Sequence, residues 1–423
     1  MTFRFLARRL PILLAILLAS ALAFGIPYLL TRRSVPALTP PAPSCILDPN
    51  QLPPPPPSPD GRLPNFLHTC GGKIYDAQGH EIRIAGINWS GMEEGGYAPG
   101  GLGNRSLGSL LDQIKALGYN TIRLPFSSEA VESGQQVGNI NYGLNPDLQG
   151  LSWLGLLDQI VAGARQRGLR VILDRHQPTS SGRIDLWYDS TVSEARWIAD
   201  WEMLAAHYAG NDTVIAFDLS NEPHGAATWG TGDPATDWHL AAEKAGNAVL
   251  AKNPYLLIFV EGVENYQGDH YWWGGNLLGV QSSPVVLSVP HRVVYSPHDY
   301  GPAISDQAWF HDPRYPLNLP GEWDRHWGYI EEQGIAPVVL GEFGGWSFGS
   351  DPDGLWQRTL VAYLAVHHFS ALVWSLNPSW DTGGILNGDW QSVNVAKQQA
   401  YTAILAPPIP AGPPPPTPTP RVK

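Results

Sequence analysis

Two periodicities alternate along the chain between residues 65 and 406. Short apolar runs rich in β-branched residues predict strands at 83–88, 120–126, 169–175, 214–220, 255–260, 292–296, 337–342 and 371–376. Between them, apolar positions recur at three- and four-residue spacing and predict helices at 106–117, 151–167, 193–208, 235–252, 321–333 and 352–368, with 392–405 closing the block. The crossover between the fifth and sixth strands has no such pattern; 262–290 reads as a Gly/Trp-rich loop. Runs at 73–76 and 81–84, joined by Ala77-Gln78-Gly79-His80, read as a hairpin leading into the first strand. Gly118 and Gly168 stand where two helices must stop and turn into strands. Eight strands with crossovers in one block predict an α/β fold, a closed (β/α)8 TIM barrel forming a single domain with Pro-rich flanking segments. The alternative is an open doubly wound sheet, which is disfavoured because no glycine-rich phosphate loop follows the first strand.

Composition sets the block's limits. The 423 residues include 40 prolines, which crowd into 35–64 and 407–423. The expected organisation is a leader at 1–34, a Pro-rich linker at 35–64, the barrel at 65–406 and a disordered Pro/Thr-rich tail at 407–423. In the leader, Arg4, Arg8 and Arg9 precede an apolar run ending near Leu30, and Arg32 and Arg33 follow it. Ala21-Leu22-Ala23 offers a small-x-small cleavage site, so the segment reads as a signal peptide. Its length also suits a retained membrane anchor, and either reading exports the block. Export makes a disulfide between Cys45 and Cys70, the only two cysteines, the expected pairing.

Charge restricts the partners. Only 15% of residues are charged and the formal net charge is −12, which disfavours nucleic acid and polyanionic substrates. The 17 tryptophans exceed what a core needs, and indole suits the flat apolar faces of sugar rings. Trp153, Trp197, Trp201 and Trp356, on predicted helices, are assigned to the core.

In a barrel of this type, chemistry sits at the C-terminal strand ends. Those ends carry Asn88-Trp89, Arg123, Asp174-Arg175-His176, Ser220-Asn221-Glu222-Pro223, His298-Asp299-Tyr300, Gly341-Glu342-Phe343-Gly344 and Trp374. Two glutamates converging with Arg, His, Tyr and Trp suit the cleavage of a glycosidic bond.

With these strand ends the chain resembles glycoside hydrolase family 5, and within it the bacterial endo-β-1,4-glucanases (cellulases). The resemblance rests on Arg83-Ile84-Ala85-Gly86-Ile87-Asn88-Trp89, Gly118-Tyr119-Asn120-Thr121-Ile122-Arg123-Leu124-Pro125, Ile172-Leu173-Asp174-Arg175-His176, Phe217-Asp218-Leu219-Ser220-Asn221-Glu222-Pro223-His224, Tyr271-Trp272-Trp273-Gly274-Gly275-Asn276, Tyr295-Ser296-Pro297-His298-Asp299-Tyr300, Leu340-Gly341-Glu342-Phe343-Gly344 and Asp381-Thr382-Gly383-Gly384-Ile385-Leu386. It implies Glu342 as nucleophile and Glu222 as acid/base of a retaining reaction. Arg123 and Tyr300 would hold Glu342 ionised, His298 would flank Glu222, Asn221 would donate to the sugar 2-hydroxyl, and His176 would bind neighbouring hydroxyls. Trp374 would lie beneath the reacting ring, with Trp89 and Trp273 as platforms further along the cleft.

The implied partner is a β-glucan polysaccharide, cellulose or a relative, with mannan, xyloglucan and mixed-linkage glucan as alternatives. No cofactor or metal, no nucleic acid, and no membrane contact beyond an N-terminal anchor are expected of this extracellular monomer. Two rivals lie outside the class. A metal-dependent hydrolase would use Asp174, His176, His224 and His298, but no close-spaced His-x-His or His-Glu-x-x-His motif is present. A non-catalytic carbohydrate-binding barrel would have no use for two mutually repelling glutamates.

Overall fold

A computed structural model describes residues 52, 54–56, 58–131, 136–379 and 382–414. The leader, Cys45 and much of the linker lie outside the described residues. Eight parallel strands form the sheet: β1 (Ala85–Asn88), β2 (Thr121–Ser127), β3 (Arg170–Gln177), β4 (Val214–Asp218), β5 (Leu257–Val260), β6 (Val293–Tyr295), β7 (Val339–Phe343) and β8 (Ser370–Val373). Each pairs with its neighbour in chain order, and β8 pairs with β1. Bridges Tyr295–Val338 and His298–Glu342 join β6 to β7, with the Tyr295 amide donating to Pro337 at 3.0 Å, and complete the ring. The closed barrel is therefore observed, and the open-sheet alternative fails.

Around it lie α1 (Leu107–Ala116), α2 (Trp153–Gln166), α3 (Glu194–His207) and α4 (Trp238–Lys252), then helix α5 across 319–332, α6 (Pro352–His367) and α7 (Val395–Tyr401). Serine begins three of them: Ser106, Ser152 and Ser193 each accept from the amide three residues on, satisfying a donor that the helix cannot. Gly118 and Gly168 adopt φ of +92° and +68° at the ends of α1 and α2, as the sequence predicts. Helix α5 departs from a regular helix, with a π-turn over Asp324–Gly328 that points His326 to Asp269 and Asp324 to Tyr363. The β5–β6 crossover has no α-helix, only a two-residue-strand hairpin and a 3-10 turn at Leu278–Gln281.

Strand alternation divides the apolar residues into two cores. Ile84, Ile172, Ala216, Leu257, Phe259, Val294, Val339 and Leu372 fill the barrel. Their neighbours Val171, Leu173, Phe217, Ile258, Val260 and Leu340 pack outward against the helices. The N-terminal hairpin, now three short antiparallel strands at His68–Cys70, Lys73–Tyr75 and Glu81–Ile82, contributes Leu67, Ile74 and Ile82 to the inner core. Cys70 is disulfide-bonded; its expected partner Cys45 lies outside the described residues.

The folded block is longer at both ends than 65–406. Ser58 Oγ donates to Asp212, and the Leu63 amide donates to Pro413 at 3.0 Å. Pro407 accepts from Asn120 and Pro410 from Asn65 and Arg170, while Ile409, 3% exposed, joins the inner core. Proline density does not mark where these contacts end, because carbonyls of a Pro-rich strap still satisfy buried donors and need no ladder. Ile409→Ala is expected to lower the unfolding free energy by about 2 kcal/mol through lost burial. Urea denaturation checks this, and a change below about 0.5 kcal/mol would show that the strap contributes nothing.

Candidate active site

The inward alternation that places Ile172, Ala216 and Phe259 in the barrel continues to the strand ends, where polar groups take over. Their centre is Arg123 on β2, fully buried. Its Nε donates to Asp218 at 3.0 Å. Nη1 reaches Asn88 at 3.0 Å and Glu342 Oε1 at 2.6 Å, and Nη2 reaches Asn221 Oδ1 at 3.0 Å, Asp174 at 3.1 Å and Glu261 at 3.2 Å. Burial opposes the guanidinium charge, but Asp174, Asp218, Glu342 and Glu261 outweigh it and hold the group protonated. One cation cannot compensate four buried anions. Burial, offset by Arg123, lifts Asp174 and Asp218 to about 7, and burial with the neighbouring carboxylates lifts Glu261 well above its ordinary range.

Glu342, at the end of β7, is held at both oxygens: Oε1 by Arg123 and Oε2 by Tyr300 Oη at 2.7 Å. Glu222 has other partners. His298 Nδ1 lies 3.0 Å from Oε1, and Arg183 Nη1 donates to Oε2 at 3.2 Å from the cleft rim. Glu222 sits at φ +51°, a conformation side chains rarely adopt, and three contacts fix it there. Its N–H donates to Glu261 Oε2 at 2.7 Å, its carbonyl lies 2.6 Å from His224 Nδ1, and the preceding Asn221 amide donates to Arg175. One carboxylate oxygen each from Glu222 and Glu342, together with a nitrogen of His298, lie within 4.8 Å of one another.

The two histidines are neutral near pH 7, since burial depresses both to about 3. His176 Nδ1 is fixed by Asp174 at 2.7 Å, and its ring stacks on Trp374 with centroids 5.7 Å apart and planes 11° from parallel. Asn221 spends its carbonyl on Arg123, and its buried Nδ2 has no partner. It does not touch the Glu222 carboxylate directly. Beside Tyr300, Asp299 takes hydrogen bonds from Tyr271, Trp323 at 3.1 Å and Trp356 at 2.7 Å, which anchors the end of β6.

These groups open into a cleft of ≈ 410 Å³ lined by Glu222, Glu342, Tyr300, Trp374, Trp273 and Arg183, among others. Trp273 is 39% exposed and stacks on His224 at 3.7 Å, so this histidine supports an indole. Trp89 is a correction: it is 0% exposed, packs in the outer core and donates to Gly100. Asn88 is the inward residue at that strand end, and a one-residue step turns the next side chain to the opposite face. Trp153, Trp197, Trp201 and Trp356 are buried, as assigned from the sequence.

Among the described residues, Asp174–His176–Glu342 and Glu222–His298–Glu342 each offer three ligand-type atoms within 4.8 Å. Glu342 in both already accepts from Arg123 and Tyr300, so the cluster is assembled around hydrogen-bond donors. His224, one of the four candidate ligands of the metal reading, belongs to neither group.

A family model for cellulase (glycosyl hydrolase family 5) matches residues 75–379. The chain belongs to glycosyl hydrolase family 5. It is a glycoside hydrolase, and its family-5 relatives cover most of its length. An endoglucanase of Paenibacillus polymyxa is 52% identical over 81% of this chain and 87% of its own. The major extracellular endoglucanase of Xanthomonas campestris pv. campestris is 41% identical over 77% of this chain and 68% of its own. The endocellulase of Pyrococcus horikoshii, solved with cellotetraose, superposes with a TM-score of 0.77 at 38% identity, covering 81% of this chain and 99% of that one. The family-5 site here contains three groups that strand-end reading passed over: Asp218, Glu261 and Arg183. Period-two counting from Ala216 and Phe259 points to the first two; Arg183 lies on a loop with no such signal.

Proposed function

We propose that this family-5 enzyme cleaves internal β-1,4-glucosidic bonds of cellulose or a related β-glucan with retention of configuration. The observation that carries the reading is the pair Glu222 and Glu342, with oxygens within 4.8 Å across the cleft. That spacing suits a covalent intermediate, since inversion needs about 6.5–9.5 Å between carboxyls to admit a water. Arg123 and Tyr300 stabilise Glu342 as the anion that attacks the anomeric carbon, while Glu222 protonates the departing glycosidic oxygen. Glu222, now a carboxylate, then takes a proton from water, which displaces Glu342 and restores both groups. The free Nδ2 of Asn221 is available to the sugar 2-hydroxyl, a bond that strengthens in the transition state. His176, oriented by Asp174, presents its other edge to neighbouring hydroxyls, and Trp374 gives the ring an apolar floor.

The endoglucanase names of the relatives support a glucan, and the extracellular Xanthomonas relative supports export. The test is incubation with a 2-deoxy-2-fluoro-β-cellobioside carrying a good leaving group, followed by mass spectrometry. A covalent adduct on the peptide containing Glu342 is expected, and inverted product without an adduct would sink the reading. Initial rates on carboxymethylcellulose, mannan and xyloglucan decide the backbone.

Trp273 is expected to serve polymer binding away from the reacting bond. Trp273→Ala should raise KM on carboxymethylcellulose by about tenfold, the cost of one lost ring-stacking platform, and leave aryl cellobiosides within about twofold. Equal effects on both substrates would remove Trp273 from the distal cleft.

A further inference from the structure

Glu261, at the end of β5, is fully buried and does not line the cleft. It nevertheless touches the acid/base glutamate by two routes. Oε2 accepts the backbone N–H of Glu222 at 2.7 Å, helping to hold that residue at φ +51°. Oε1 lies 3.3 Å from His298 Nε2, and His298 Nδ1 lies 3.0 Å from Glu222 Oε1. The surroundings are shaped for this contact. Gly274, at φ +66°, closes over Glu261, where a Cβ would strike Oε2. Gly341 leaves room for the imidazole, since a Cβ there would lie 2.9 Å from His298 Nε2. Nε2 itself is buried, faces Glu261 Oε1 at 3.3 Å outside hydrogen-bond geometry, and has no hydrogen-bond partner.

We propose that Glu261 is a positioning residue for the acid/base step, setting both the backbone of Glu222 and the tautomer of His298. The inference rests on the assignment of Glu222 as acid/base. Glu261 faces Arg123 from β2, Asp174 from β3, Asp218 and Glu222 from β4 and its extension, and His298 from beyond β6. Burial and then the neighbouring carboxylates raise Glu261 well above the ordinary carboxylate range, which favours its acid form, and its Oε1 faces Nε2 at 3.3 Å. The single proton of the neutral imidazole then sits on Nδ1 and donates to Glu222 Oε1. The other oxygen of Glu222, Oε2, accepts from Arg183 at 3.2 Å.

Two experiments test this. In the intact enzyme labelled with 15N-histidine, the His298 ring is expected to show the neutral tautomer protonated at Nδ1 near pH 6–7; an Nε2-protonated ring overturns the proposal. Glu261→Ala should lower kcat/KM on an unactivated β-cellobioside by about tenfold to a hundredfold, a share of what general acid catalysis supplies. On the 2,4-dinitrophenyl cellobioside, whose leaving group needs no proton, the loss should stay within about threefold. Glu261→Gln, whose amide oxygen still accepts the Glu222 N–H although its NH2 then faces Arg123 Nη2, should restore part of the leaving-group ratio. Equal losses on both substrates, or none, overturn the role. Glu222→Ala measured alongside separates the two claims: if it also lacks leaving-group dependence, the acid/base assignment fails first.

Discussion

Glu342→Ala is expected to lower kcat on β-glucan by roughly 10⁴–10⁶-fold, the scale of removing a covalent nucleophile. The fold should survive the change. Arg123 keeps Asp174 and Asp218 as carboxylate partners and Asn88, Asn221 and Glu261 as acceptors. The truncated side chain leaves a gap on the face opposite the leaving group. Azide placed there attacks the anomeric carbon of an activated β-aryl cellobioside as the aryl oxide departs, giving an α-glycosyl azide. Rate recovery with azide and an α product by NMR are the expected results. A β product would put the nucleophile elsewhere, and loss of less than about tenfold would exclude Glu342 from the bond-forming step.

The second large effect is at Glu222, and it has a different signature. On unactivated substrates Glu222→Ala should cost about 10²–10⁴-fold, the usual contribution of proton transfer. With a dinitrophenolate leaving group, formation of the intermediate needs no acid and should stay fast, while its hydrolysis loses the general base. A burst of dinitrophenol followed by slow turnover is expected. Azide should speed the second step and, because the intermediate on Glu342 still forms, yield the β azide. Opposite azide anomers from the two variants would assign the two roles without ambiguity. The asymmetry is visible in the structure: Glu342 is held by a cation and a phenol, Glu222 by an imidazole and an exposed loop arginine. Removing Arg183, 47% exposed, is accordingly a smaller perturbation than removing Arg123.

The strands were legible because a barrel interior demands a period-two apolar pattern that survives in short windows. Most lengths were overestimated: β6 spans only Val293–Tyr295 and β8 only Ser370–Val373, whereas β3 runs past its expected end to Gln177. A β-branched run continues past the last ladder bond, and its sequence does not mark where pairing ends. Trp89 shows a different failure. It was chosen for residue type and position in a motif, but the face of a strand-end residue follows from its register, and Asn88 had already taken the inward place. Trp273 and Trp374 belong to segments that reach the cleft and line it. Asp218 and Glu261 were passed over for the reason that makes them important. Counting by two along β4 and β5 turns them inward, but that they meet Arg123 follows only once the sheet closes.

Taken alone, the sequence determined the order of elements, the closed barrel and the two glutamates, because periodicity and strand-end composition are local properties. Tertiary structure decided which side chains share charge and protons. It gathered four carboxylates around one guanidinium, fixed Glu222 in a left-handed conformation against Glu261, and turned Trp89 into the core. Those outcomes depend on desolvation and on distances between strands far apart in the chain, which appear only when the ring is closed.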